Sequence, residues 1–83
     1  MSGTLYRLER LLEIASSEGI QVRREWLRGI RGGLVRMGHS PILFVDESLT
    51  IPEQFEQVRQ SLRQLDWTET EFGLEMELLL AES

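Results

Sequence analysis

Asp46 and Glu47 stand side by side at the end of the apolar run Ile42-Leu43-Phe44-Val45. Two carboxylates at a strand end are the groups that general acid and base chemistry uses. Glutamate is so abundant in this chain that such pairs arise without chemical purpose, and no catalytic role is assigned to them. His39 and Ser40 form a second candidate pair. Between Gly38 and Pro41 they read as a turn, and Ser40 lacks the Gly-x-Ser-x-Gly elbow that builds an oxyanion hole. Gly29-Ile30-Arg31-Gly32-Gly33 has the glycine content of a phosphate-cradling loop. It lacks the Gly-x-x-x-x-Gly-Lys-Ser/Thr spacing and lies between two strands instead of opening a helix. The chain has no cysteine and one histidine, which excludes thiol catalysis, disulfides, cysteine metal sites and a histidine pair. All nine basic residues are arginine, so no side-chain amine is present for Schiff-base chemistry. The expectation is a chain with no catalytic residues, no metal site and no cofactor.

Arg23, Arg24, Arg28, Arg31 and Arg36 fall close together with Trp26 among them. Guanidinium groups neutralise phosphates and an aromatic face stacks a base, so these six residues are the candidate surface for an anion or a partner. A formal net charge of -5 opposes nucleic acid at long range, and alternation divides Arg23 from Arg24 between two faces of a strand. Anion or nucleic-acid binding through these residues is therefore the alternative reading, behind an interaction module.

The elements that position these residues follow from periodicity. Leu5, Leu8, Leu12 and Ala15, widened by Leu11 and Ile14, predict a helix over about residues 4–17, capped by Ser2 or Thr4 and stopped by Ser16, Ser17 and Gly19. From Ile20 the period drops to 2, predicting a strand of about eight residues. The glycines that follow suit a hairpin. Leu34 to Met37 is a second strand, and the uninterrupted Ile42 to Val45 is a third, central strand or one covered on both faces. Thr50-Ile51-Pro52-Glu53 is a capping box. It opens the clearest amphipathic helix, with Ile51, Phe55, Val58, Leu62 and Leu65 on one stripe to about Asp66. A second box, Thr68 to Glu71, predicts a last helix with Phe72, Met76, Leu79 and Leu80 on one stripe, its first turn weakened by Gly73. Trp26 and Trp67 are expected in the core, and either one, if exposed, marks a partner surface.

The predicted fold class is α+β, a three-stranded antiparallel meander packed against helices in the order α-β-β-β-α-α. Eighty-three residues suit one domain. No signal peptide or membrane span is legible, which makes the cytoplasm the default location. Residues 1–45 carry net +3 and residues 46–83 net -8. Such polarity suits partial mutual neutralisation within the chain, or association of a basic sheet with an acidic helix of another copy. The expected partner is a second copy, as a homodimer, or another protein; neither nucleic acid nor a membrane is expected. Phe72, Met76 and Leu79 are the candidate self-association residues.

The strand, the Gly-rich turn, two further strands ending in Ile42-Leu43-Phe44-Val45-Asp46 and the capped helix at Thr50 resemble the core of the ImmA/IrrE-type zinc metallopeptidases, over about residues 20–66. In that family a similar strand leads into a helix carrying Phe-Thr-Leu-Ala-His-Glu-Leu-Gly-His. Phe55-Glu56-Gln57-Val58-Arg59-Gln60-Ser61-Leu62-Arg63 lies over it, with Phe55 and Val58 matching in character. The resemblance implies that the two zinc-binding histidines fall on Arg59 and Arg63 and the general-base glutamate on Gln60, with Leu62 where the family has glycine. A guanidinium cannot coordinate zinc and an amide cannot take a proton from metal-bound water. The resemblance therefore implies a metal-free, inactive relative kept for binding or structure. In general make-up the chain is otherwise similar to small uncharacterised bacterial proteins.

Overall fold

Helix α1 (Thr4–Ser17) forms because Leu8, Leu11, Leu12, Ile14 and Ala15 make one buried stripe. Its N-cap is Gly3, without a side-chain cap; Thr4 is already helical, and Ser2 lies outside the residues that the computed structural model describes, 3–29 and 32–81. Gly19, at φ +90°, reverses the chain after α1, and the Ile20 N–H donates back to the Ala15 carbonyl at 3.0 Å. Strands β1 (Gln21–Glu25), β2 (Gly33–Met37) and β3 (Ser40–Asp46) follow, then α2 (Ile51–Leu62) and α3 (Gly73–Leu80). The element order is the expected α-β-β-β-α-α.

The sheet is mixed and is not the expected antiparallel meander. Its order is β1-β3-β2, with β1 parallel to β3 and β2 antiparallel to β3. The glycine-rich segment is not a hairpin turn. β1 and β2 stand two inter-strand spacings apart, about 10 Å, with β3 between them. β3 is central, as its apolar sequence predicts, but covered on one face. Leu43 and Val45 are buried with Val22 and Leu34 beside them, whereas Ile42 and Phe44 point away and stay half-buried. Both helices α1 and α2 lie on the Leu43 face, and the molecule is a slab of 37 × 33 × 17 Å.

The capping box of α2 is formed as read. The Glu53 N–H donates to Thr50 Oγ1 at 3.3 Å and the Thr50 N–H to Glu53 Oε1 at 2.9 Å, with Pro52 in the first turn. α2 ends at Leu62, four residues before the expected Asp66, because Trp67 folds back and donates its indole N–H to the Leu62 carbonyl at 2.8 Å. Trp67 is in the core as expected. The second box does not cap a helix. Thr68 instead donates through its N–H and hydroxyl to Asp66, and α3 starts at Gly73, where a side chain would press on the Trp67 carbonyl at 3.1 Å. One cluster gathers Leu8, Leu11, Ile14, Leu43, Val45, Val58, Leu62, Trp67 and Met76.

Neighbouring residues of β3 should therefore differ sharply in worth. Leu43→Ala is expected to cost about 2–5 kcal/mol in urea unfolding, and Ile42→Ala less than about 1 kcal/mol. Equal losses would mean that both faces are covered.

Candidate functional site

Asp46, the first of the two carboxylates, is fully buried at the end of β3. Its Oδ1 accepts from the Leu27 N–H at 2.9 Å, the Ser48 N–H at 2.9 Å and the Ser48 hydroxyl at 2.6 Å; its Oδ2 accepts from the Gly29 N–H at 2.6 Å. Burial pushes its pKa up, but these bonds, led by Ser48, outweigh it and bring the value to about 2. Both oxygens accept hydrogen bonds, two of them from backbone N–H groups of the segment that leaves β1, so the group is an anchor for that segment. Glu47 points elsewhere and pairs with Arg24 at 3.4 Å. His39 and Ser40 are exposed at the β2–β3 turn.

The arginines are not brought together. Arg23 lies on the open face of the sheet and pairs with Glu25 at 2.6 Å. Arg24 lies on the helix side, held by Glu9 of α1 at 2.9 Å and by Glu47. Arg36 also faces the helix side and lines a shallow cleft with Glu18, Pro41, Asp66 and Trp67. Arg28 sits exposed in the left-handed region at φ 56°, and Arg31 lies outside the described residues. Trp26 corrects the expectation of a core residue. It is 67% exposed, one residue past the end of β1 at Glu25, where no strand pairing fixes its side chain towards the core.

The self-association candidates are placed differently again. Met76 is fully buried, and Phe72 and Leu79 pack against the core. On the opposite side of α3, Leu74 and Leu78, one turn apart, are 81% and 77% exposed. The charge polarity of the chain is partly satisfied across α1 and α3. Arg10 donates to Glu75 at 2.5 and 2.8 Å and pairs with Glu13, holding Glu75 below the usual carboxylate range. Arg59, one of the two positions laid over zinc histidines, is buried and donates to the Leu80 carbonyl at 3.2 Å and to Glu56, tying α2 to the end of α3. Among the described residues no group of three or more His, Cys, Asp or Glu is arranged to hold a metal ion.

Among the described residues the open face of the sheet is an apolar surface that no helix covers. Register places Val35 and Met37 of β2 beside Ile42 of β3 and its start, with Phe44 above Gly33 and beside Arg23. Val35 is 43% and Met37 62% exposed, and no helix reaches this face. Sequence reasoning pointed to the sheet face or the carboxyl-terminal helix for self-association but did not name Val35, Met37, Leu74 or Leu78, the residues exposed there. Period-2 alternation in Leu34 to Met37 was the available signal for Val35 and Met37. No helix is long and apolar enough to cross a membrane among the described residues. No known protein family, curated protein or solved structure matches the chain.

The acids Asp46, Glu53, Glu56, Asp66 and Glu75 all have folded pKa values below their ordinary ones. On acidification the unfolded chain takes up protons first, so their contribution to stability is full above the ordinary range and is lost as pH falls through the folded values. The midpoint of thermal unfolding should be flat above about pH 5 and fall from about pH 4 towards pH 2. Asp46→Asn should lower it by roughly 5–10 °C at pH 7 and make the acid limb shallower. A midpoint that rises on acidification, or an unchanged acid limb in the variant, would contradict the anchor role.

Proposed function

We propose that this chain is a non-enzymatic interaction module that associates with copies of itself through the open face of its sheet. The observation that supports it is the apolar strip of Val35, Met37, Ile42 and Phe44, uncovered by any helix, on a slab whose other sheet face carries α1 and α2. An apolar strip over two strands left to water is a docking surface by default, since soluble domains seldom expose contiguous apolar patches without use. A second copy suits it because the strip is apolar and the charges beside it, Arg23 and Glu25, are paired with each other, so two such faces meet without opposing like charges. The face measures about 14 × 17 Å from strand spacing and rise. That is small beside the ~800 Å² per partner of a standard interface, so association is weak, on the order of 100 μM. The described arginines, Arg23, Arg24, Arg28 and Arg36, are dispersed over both faces and the loop, a placement that does not favour the anion-binding alternative.

Light scattering on gel-filtered samples over a concentration series is the test. The average mass should rise above the 9.6 kDa of one chain as concentration approaches the hundred-micromolar range, and Val35→Gln with Met37→Gln should hold it at 9.6 kDa. A wild-type mass of 9.6 kDa throughout overturns the reading.

A further inference from the structure

A sheet ordered β1-β3-β2 has two edges, the outer sides of β1 and β2. We infer that the outer side of β2 pairs antiparallel with β2 of a second copy, about a two-fold axis at Val35, and joins two sheets edge to edge. This contact goes beyond the sheet-face association proposed above and stands without it.

The hydrogen-bonding phase of β2 singles out the groups involved. β2 and β3 are joined by the two-residue turn Gly38-His39, with Met37 opposite Ser40. Residues that flank such a turn exchange their N–H and C=O bonds, and bonding then alternates along the antiparallel pair. Met37, Val35 and Gly33 therefore bond to β3, whereas Leu34 and Arg36 direct their N–H and C=O groups outward. Pro41, opposite Arg36, agrees with this phase, because a residue without an N–H suits a position where β2 needs none from β3. Among the described residues no strand lies on the outer side of β2.

Register and charge select the arrangement. With the axis at Val35, Leu34 of each copy lies opposite Arg36 of the other, and every outward group within the strand is matched. The two Val35 residues meet as a non-hydrogen-bonded pair with Cα atoms about 4.5 Å apart. An axis at Arg36 sets two guanidinium groups directly opposite each other, and an axis at Leu34 moves Arg36 opposite Gly32, outside the strand. The other edge is guarded. β1 carries Arg23, Arg24 and Glu25, all held in ion pairs, and charge along an edge discourages pairing, whereas β2 has Arg36 alone. Val35 lies on the open face, so the apolar strips of two paired copies run on into one. On the helix side, Gln57 and Ser61 of α2 lie against the start of β2, and neither is charged. Ladder bonds replace bonds to water and add little, so the Val35 contact decides whether the pair holds. Val35→Gln with Met37→Gln therefore removes this contact along with the sheet face. Leu5, Tyr6, Trp26, Leu74 and Leu78 are exposed as well, but none stands on a strand edge, where a ladder dictates the form of the partner.

The chain has no cysteine, so a single introduced thiol reports the register. In a glutathione redox buffer at about 100 μM protein, Val35→Cys should form a disulfide-linked dimer. Met37→Cys, whose copies stand about 14 Å apart along the paired strands, should do so at least about tenfold more slowly. Sheets stacked face to face hold their Cα atoms about 10 Å apart, too far for a disulfide at either position. Adding Arg36→Pro to Val35→Cys should abolish the cross-link, because it removes an outward N–H. β3 does not use that N–H, so the circular dichroism and unfolding midpoint should stay those of the wild type. The comparison of Val35→Cys with Met37→Cys stands even if the proline variant unfolds. Equal rates at the two positions, no cross-link at Val35→Cys, or a cross-link that survives Arg36→Pro overturns the edge pairing. If the mass of the Arg36→Pro protein still rises with concentration while Val35→Cys fails to cross-link, the sheet-face reading stands alone. A Val35→Cys cross-link together with an Arg36→Pro mass of 9.6 kDa at every concentration supports the edge and overturns the face.

Discussion

A single buried carboxylate holds the topology together. β1 and β3 run parallel, so both end at the same edge of the sheet, where Glu25 and Asp46 stand in register. The chain leaves β1 there, must pass over the end of β3 and re-enters at Gly33 beside Phe44. A backbone that crosses a strand end has N–H groups with no ladder to join, and Asp46 accepts two of them, from Leu27 and Gly29. The same carboxylate takes the N–H and hydroxyl of Ser48, which turns β3 towards α2. One ionised group thus organises two connections, and four charge-assisted bonds offset the cost of burying it. Gln57 of α2 supports the arrangement from below, its amide near the Asp46 N–H and against Gly32, where any larger residue would collide with it.

This crossing determines which surfaces the molecule presents. Because β3 lies in the middle, its alternating side chains divide into Leu43 and Val45, packed under α1 and α2, and Ile42 and Phe44, left outside. A chain of this length has three helices but uses α3 against α1 and α2, not against the outer sheet face. The Arg10–Glu75 pair and the Arg59 contact with the Leu80 carbonyl dock α3 by its Met76 and Leu80 side. A helix with leucine on both sides can bury only one against its own core. Leu74 and Leu78 are the remainder.

The charge segregation has a similar double use. Arg10 with Glu75 and Arg24 with Glu47 join the basic amino-terminal half to the acidic carboxyl-terminal half within one molecule. These pairs are partly exposed and contribute little to stability, but they orient the elements that carry them. The acids that remain around Leu74 and Leu78 of α3 are exposed, as are Arg28 and Arg36. The surface therefore retains the polarity visible in the sequence after the internal pairs are made.

Local chemistry determined the elements. The helix stripe, the Thr50–Glu53 box and the apolar character of β3 each depend on residues within one or two turns of each other, and all three stand except for Leu5, which the stripe included and which is exposed in the first turn of α1. The candidate site was scarcely legible. Trp26 and Trp67 are the same residue type beside similar neighbours, yet one is exposed at a strand end and the other donates its N–H inside the core. Asp46 reads as half of a carboxylate pair, and only its partners from nineteen and seventeen residues away make it an anchor. Strand order was likewise beyond reach, because a period-2 pattern assigns a face and not a neighbour. Pairing is decided by contacts between distant segments competing for the same edge, and that competition is settled only when the whole chain is folded.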